Sequence, residues 1–277
     1  MSVIALGAHM TTAKGFDKAG EDARYIGADA MQVFTRNPRG GRARALKDKE
    51  LERLRALRDA GLKVVAHAPY TVNLASSKDD VRDFGVRTIS EDLQRIVSIG
   101  AKGLVVHSGA HTGAGKERGL QRLIKSLEEL LPQVPAGHRI LLETMSGQGT
   151  ELGSSFEDLA QVLTYFDFAP SLGICLDTCH LFAAGYDVCD WQNLKAQFTA
   201  HMPWHVIGCI HLNDSKTERA SHKDRHEKLG DGCIGWEGLS SIVLAEKNNT
   251  FPIIMETPNE LIGWADEIAC LKKVLKQ

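Results

Sequence analysis

Nine side chains able to bind a divalent cation punctuate this sequence: His67, His107, Glu143, Asp177, His180, His211, Asp224, His226 and Glu256. All but Asp224 and His226 lie at or just past the end of a short apolar run, as in V-V-A-H (64–67), L-V-V-H (104–107), I-L-L-E (140–143), I-C-L-D (174–177), G-C-I-H (208–211) and I-I-M-E (253–256). A lone histidine at a strand end is more often a hydrogen-bonded structural group than a ligand, and the chain has 11 to distribute. The ensemble says more. Glu143, Asp177 and Glu256 are expensive to bury near one another without countercharge, and mixed imidazole and carboxylate donors suit zinc and similar ions. D-R-H puts Asp224 and His226 on the same side of an extended segment, while D-T-C-H carries Asp177 and His180 just past a strand, where they can serve neighbouring ions. Nine donors exceed the needs of one four-coordinate zinc and suggest two or three ions. Such a centre points to hydrolysis of phosphate esters, where one ion generates hydroxide near neutral pH and others stabilise the attacked and leaving oxygens.

The elements that must position these groups alternate from end to end. Apolar runs at 2–8, 30–35, 62–67, 103–107, 139–144, 172–177, 206–212 and 251–256 are short and rich in Val, Ile and Leu, as strands are. Helical patterns occupy 15–27, 47–59, 78–99, 117–131, 156–166, 190–202, 237–247 and 260–275. In L-E-R-L-R-A-L-R-D-A-G (51–61), Leu51, Leu54 and Leu57 line one face, Glu52, Arg53, Arg55 and Arg58 are solvated, and Gly61 stops the helix. Eight strands with eight helices predict a TIM (β/α)8 barrel, whose strand ends meet on one face together with the long loops 36–46, 108–116 and 213–236.

The length of 277 residues, with 43% hydrophobic and 25% charged residues, suits one such domain spanning 1–277. A net charge of −2 advertises no global attraction to polyanions, although a local basic patch can still bind one. Six cysteines without a C-x-x-C pair fit reduced thiols, each read as a small buried hydrophobe, Cys179 included. No apolar stretch approaches the ~18 residues of a membrane span, and the N-terminus lacks a basic region followed by a long apolar run. A cytoplasmic location without membrane attachment is expected.

The stretches H-A-P-Y-T-V-N-L-A (67–75), V-V-H-S-G (105–109), L-L-E-T-M-S-G-Q-G-T-E-L-G (141–153), I-C-L-D-T-C-H-L-F-A-A-G-Y-D (174–187), I-H-L-N-D-S-K (210–216), D-R-H-E-K-L-G-D-G (224–232) and I-I-M-E-T-P (253–258) resemble the endonuclease IV family of zinc-dependent apurinic/apyrimidinic endonucleases. The resemblance runs through essentially the whole chain. It implies three zinc ions: His67 and His107 on the first, Glu143 bridging to a second completed by Asp177, His211 and Glu256, and His180, Asp224 and His226 on the third. It also implies a hydroxide between the first two ions, with Glu143 and Glu256 at the catalytic centre, acting as a monomer on double-stranded DNA 5′ to an abasic site. The products would be a 3′-hydroxyl and a 5′-deoxyribose phosphate.

The basic stretch T-R-N-P-R-G-G-R-A-R-A-L-K (35–47) resembles a DNA-recognition loop of that family, offering Arg36, Arg39, Arg42 and Arg44 to phosphates, while Tyr70 resembles its abasic-pocket residue. Where relatives carry a bulky aromatic after N-x-R-x, this chain reads N-P-R-G-G, which removes area able to wedge into a duplex. His222 is read as an exposed extra imidazole. Two other readings compete. A xylose-isomerase-like sugar isomerase accounts for Glu143, Asp177, His211 and Glu256 but has no need of His180, Asp224 and His226. A non-catalytic lesion binder has no need of a complete ligand set.

Overall fold

The computed structural model describes residues 4–40 and 42–276. Its strands are β1 (Leu6–His9), β2 (Ala30–Phe34), β3 (Lys63–His67), β4 (Gly103–His107), β5 (Arg139–Glu143), β6 (Leu172–Asp177), β7 (Ile207–His211), β8 (Asp214–Ser215), β9 (His226–Glu227) and β10 (Ile253–Met255). All but β8 and β9 pair in parallel and close a barrel in the order β1-β10-β7-β6-β5-β4-β3-β2. Between them run α1 (Phe16–Tyr25), α2 (Asp48–Asp59), α3 (Asp79–Ile99), α4 (Lys116–Leu130), α5 (Phe156–Tyr165), α6 (Thr178–Ala184), α7 (Trp191–Thr199), α8 (Gly235–Ala245) and α9 (Leu261–Val274). This is the TIM barrel that the strand-helix alternation predicts. Of the first apolar run, residues 2 and 3 lie outside the described residues, and the strand extends to His9 rather than stopping at residue 8.

Helix α2 shows how the pattern becomes packing. Leu54 is buried and Leu51 and Leu57 pack partly buried against the core, while Glu52, Arg53 and Arg55 stay exposed. Gly61, at φ 95°, then turns the chain into β3.

Inside the barrel, Ala5, Ala30, Val65, Val105, Leu141, Cys175, Cys209 and Ile254 form a layer supplied by all eight barrel strands or the residue preceding one. Leu141 fills its centre because two neighbours have no side chain: a Cβ on Gly103 or Gly208 would stand 2.7 or 2.5 Å from a Leu141 methyl group. Strand side chains alternate, so one step of two residues beyond this layer gives the next inward row. That row reads Gln32, His67, His107, Glu143, Asp177, His211 and Glu256, with His9 two steps above Ala5. The metal-capable residues share a face because the barrel period puts them there.

Two features differ from the sequence reading. The D-T-C-H segment opens a short helix, α6, that none of the helical patterns in the sequence marks; Asp177 caps it by accepting from the His180 amide (2.8 Å), and Gly185 ends it at φ 112°. Seven residues are too few for helical periodicity to show in sequence. Of the cysteines, Cys175, Cys179 and Cys209 are buried as expected, but Cys189, Cys233 and Cys270 are exposed. No helix among the described residues is long and apolar enough to cross a membrane.

Candidate metal centre

The nine residues converge in three groups, each with ligand atoms within 4.8 Å of one another: His67, His107 and Glu143; Glu143, Asp177, His211 and Glu256; and His180, Asp224 and His226. Glu143 belongs to two of them. Its Oε2 lies 3.2 Å from His67 Nε2 and 3.4 Å from His107 Nε2, while Oε1 lies 2.9 Å from His211 Nδ1. His211 Nδ1 also faces Glu256 Oε2 at 3.3 Å and Asp177 Oδ2 at 3.7 Å, so three carboxylates converge on one nitrogen. His180 Nε2 and His226 Nε2 each stand 3.3 Å from Asp224 Oδ1.

Hydrogen bonds behind the imidazoles decide which nitrogen faces the centre. A backbone carbonyl can only accept, so His67 Nδ1 donates to Ala68 O (2.6 Å), His180 Nδ1 to Thr144 O (2.8 Å) and His226 Nδ1 to Glu256 O (3.3 Å). In a neutral imidazole the inward Nε2 is then a bare lone pair, and it looks at a carboxylate oxygen. The Nε2 atoms of His180 and His226 are buried and make no hydrogen bond, despite their closeness to Asp224. Two acceptors facing each other there need a positive charge between them, either a proton on the imidazole or a metal ion, and this set of imidazole and carboxylate donors fits a divalent metal.

The charges lean the same way. Burial works against a proton on His67, His180 and His211, yet the neighbouring carboxylates outweigh it and raise all three above the ordinary histidine range. His107 is pushed down to about 4 by burial, reinforced by His67 and His180, and stays a neutral donor. Burial opposes the charge on Glu143 and Asp224, but the imidazoles hold Glu143 well below its usual value and Asp224 at about 2. A centre that draws positive charge into a dry site will take metal ions where they are available. Cys179 lies beside Asp177 and His226, but burial and the Asp177 charge push its thiol up to about 12, in keeping with a structural role.

Three supporting features escape the sequence reading. Asp214, buried at the start of the long loop, accepts from the amides of Gly230 (3.0 Å), Gly232 (3.1 Å) and Ile234 (2.9 Å) and so ties the loop that presents Asp224 and His226. The β8–β9 pairing, Ser215 opposite His226, holds that segment in register. His9 and Gln32, both reaching Glu256, complete the inward row. His9 carries the same signal as the others, a histidine ending an apolar run; Gln32 carries none, because an amide does not advertise metal chemistry.

The basic loop divides. Arg36, expected among the free loop arginines, has a side chain only 5% exposed, with Nη2 2.6 Å and Nε 3.0 Å from the buried Asp92 carboxylate. Arg44 pairs with Glu50 (Nη1 to Oε2, 2.8 Å), which also accepts from the Phe16 amide. Arg36 is thus tied into the fold rather than free, whereas Arg44, though paired, is exposed and borders the cavity beside the cluster. Arg39 and Arg42 are exposed. Gly40 has φ 90° after the Asn37–Gly40 turn, and a Cβ there would lie 3.1 Å from Thr71 Oγ1; Gly41 lies outside the described residues. The Tyr70 amide donates to Pro38 O (3.0 Å), joining this loop to the rim. Tyr70 itself is 58% exposed, with its ring edge-on to Phe34 at 5.1 Å and 5.6 Å from His107. Together with His9, Arg42, His226 and Glu256 it borders a cavity of about 750 Å³ that opens beside the metal-capable cluster. His222 is exposed, as expected, with Nδ1 3.1 Å from Ser146 O.

A closed parallel barrel with a three-part imidazole and carboxylate cluster at its strand ends defines a class, the metal-centred TIM barrels. Residues 21–274 match the family model of the xylose isomerase-like TIM barrel. A probable endonuclease 4 of Alkaliphilus oremlandii is 39% identical over 277 residues, covering 99% of this chain and 98% of that protein. One of Heliobacterium modesticaldum is 40% identical over 275 residues, covering 98% and 99%. The crystal structure of endonuclease IV from Thermus thermophilus superposes with a TM-score of 0.86 at 32% identity, covering 98% of this chain and 99% of that one. The chain belongs to the endonuclease IV family.

Proposed function

We propose that this chain is a zinc-dependent apurinic/apyrimidinic endonuclease that hydrolyses the phosphodiester 5′ to an abasic site in duplex DNA, leaving a 3′-hydroxyl and a 5′-deoxyribose phosphate. The observation that carries the reading is the set of buried imidazole nitrogens stripped of other partners and aimed at carboxylates. His67, His107 and Glu143 would hold one ion, Glu143, Asp177, His211 and Glu256 a second, and His180, Asp224 and His226 a third. Bound there, the ions supply Lewis-acid stabilisation of phosphate oxygens and a nucleophile near neutral pH. Glu143, shared between two groups, and Glu256, beside the cavity, are the carboxylates we assign to the catalytic centre.

The remaining residues bind and orient. Arg39 and Arg42 reach backbone phosphates, while Arg36 and Arg44 brace the loop that carries them. Tyr70 offers its phenol at the rim of the cavity. Extruding a nucleotide costs a few kcal/mol and least where the base is missing, which favours abasic sites over intact duplex. The His180, Asp224 and His226 group favours this reading over a sugar isomerase, and the complete ligand set favours it over a non-catalytic binder. We further propose that the chain acts as a single-domain monomer in the cytoplasm.

Incubation with a duplex carrying one abasic-site analogue tests the proposal. A nick 5′ to the lesion is expected; no incision, or equal cleavage of the intact duplex, overturns the substrate assignment.

A further inference from the structure

Gln32 sits on β2 with no exposed surface, directly behind the group formed by Glu143, Asp177, His211 and Glu256. Its Oε1 is 2.8 Å from His211 Nε2, and its Nε2 donates to Glu256 Oε1 at 2.7 Å. The same Glu256 oxygen lies 2.6 Å from His9 Nδ1. One amide therefore touches two of the four side chains of that group, from the side away from the other carboxylates.

The chemistry of an amide fixes what each contact does. Its carbonyl can only accept, so it requires a proton on His211 Nε2 and turns the Nδ1 lone pair toward Glu143, Asp177 and Glu256. Its NH2 can only donate, and together with His9 it occupies Glu256 Oε1. That leaves Oε2, the oxygen 3.3 Å from His211 Nδ1, to face inward. With both contacts in place, His211 and Glu256 each present one defined atom to the same point. A leucine of similar bulk would leave His211 free to exchange tautomers and Glu256 free to rotate.

We infer that Gln32, assisted by His9, is a positioning residue that selects the metal-facing atoms of His211 and Glu256 and so sets the affinity of the ion shared with Glu143 and Asp177. This rests on the metal reading proposed above. Loss of such a partner behind a metal ligand typically weakens metal binding by roughly 10- to 100-fold. The other two groups make no contact with Gln32, so their ions should be unaffected.

The test is titration of zinc-loaded wild type, Gln32→Leu and Gln32→Met against a chromophoric chelator, with thermal unfolding of the metal-stripped proteins alongside. One ion per chain should weaken by roughly 10- to 100-fold while the others hold wild-type affinity and the stripped variants remain folded. Adding Gln32→Leu to His211→Ala should weaken that ion by less than Gln32→Leu does in the wild type, since the part of the effect that acts through His211 is already gone and only the contact with Glu256 is left to lose. Uniform weakening of every ion would mean that the amide only supports the fold, and wild-type affinity throughout would mean that it positions nothing; either result overturns the assignment. A wild-type protein that retains no zinc would instead remove the metal reading and this inference with it.

Discussion

Substituting Asp92 by alanine should unfold this barrel more readily than most single changes, and the structure sets the size of the effect. Asp92, on α3 with no exposed surface, accepts from Thr35 Oγ1 (2.7 Å), Arg36 Nε (3.0 Å) and Arg36 Nη2 (2.6 Å). Alanine removes three hydrogen bonds and strands a guanidinium that is 5% exposed. Breaking a buried pair from one side costs about 3–5 kcal/mol, because the remaining charge is uncompensated. The exposed Glu91, 3.1 Å from Arg36 Nη2, is a partial substitute and favours the lower end. At roughly 2–4 °C per kcal/mol for a domain near this size, the melting temperature should fall by about 6–20 °C. Urea unfolding of metal-stripped protein is the cleaner assay, since bound metal would add its own stabilisation. Replacing both partners by Arg36→Met with Asp92→Leu should recover most of the loss, because no buried charge is left behind. A loss below about 1 kcal/mol for Asp92→Ala, or a double variant no better than the single, would refute the reasoning.

Three further outcomes follow from the same geometry. Glu143→Gln keeps the shape but loses the charge shared by two groups, so it should abolish cleavage and lower metal content by at least one ion with the circular dichroism spectrum unchanged; retained cleavage would contradict the shared role. Arg39→Ala with Arg42→Ala should weaken DNA binding and flatten its salt dependence by about one unit of slope per lost phosphate contact, whereas unchanged binding across a salt series would make the loop mere solvated surface. Glu50 is held below the usual carboxylate range by Arg44, against the pull of burial and with help from the Phe16 amide. A carboxyl whose folded pKa is depressed stabilises above its unfolded value of about 4.3 and loses that contribution as pH falls through the folded value. The stability gap between wild type and Glu50→Gln should therefore be full at neutral pH and close below about pH 4; a gap independent of pH would overturn the sign.

The sequence is legible wherever period and chemistry coincide. His67, His107, Glu143, Asp177 and His211 each end a strand, and Glu256 follows one, so the apolar runs locate both the barrel and its cluster. Asp224 and His226 are readable because an extended D-R-H puts them on one side, and the structure brings Asp224 to 3.3 Å from both His180 and His226. What is not legible depends on partners remote in sequence. Arg36 and Arg44 look like free loop cations until Asp92 and Glu50 arrive from α3 and α2. Asp214 looks like an ordinary loop carboxylate until the amides of 230–235 fold back onto it. Gly40 suggests flexibility, yet its turn and the nearby Thr71 define a tight position with little room for a side chain. Gln32 becomes visible only when the inward row is counted strand by strand from the Ala30 layer.

The nine side chains are proposed to form three sites for divalent ions. Elemental analysis of extensively dialysed, fully active protein measures this directly. Close to three ions per chain, mainly zinc, with His226→Ala lacking one of them, is expected; one ion or fewer in protein of full activity would mean that the nine residues do not form three metal sites.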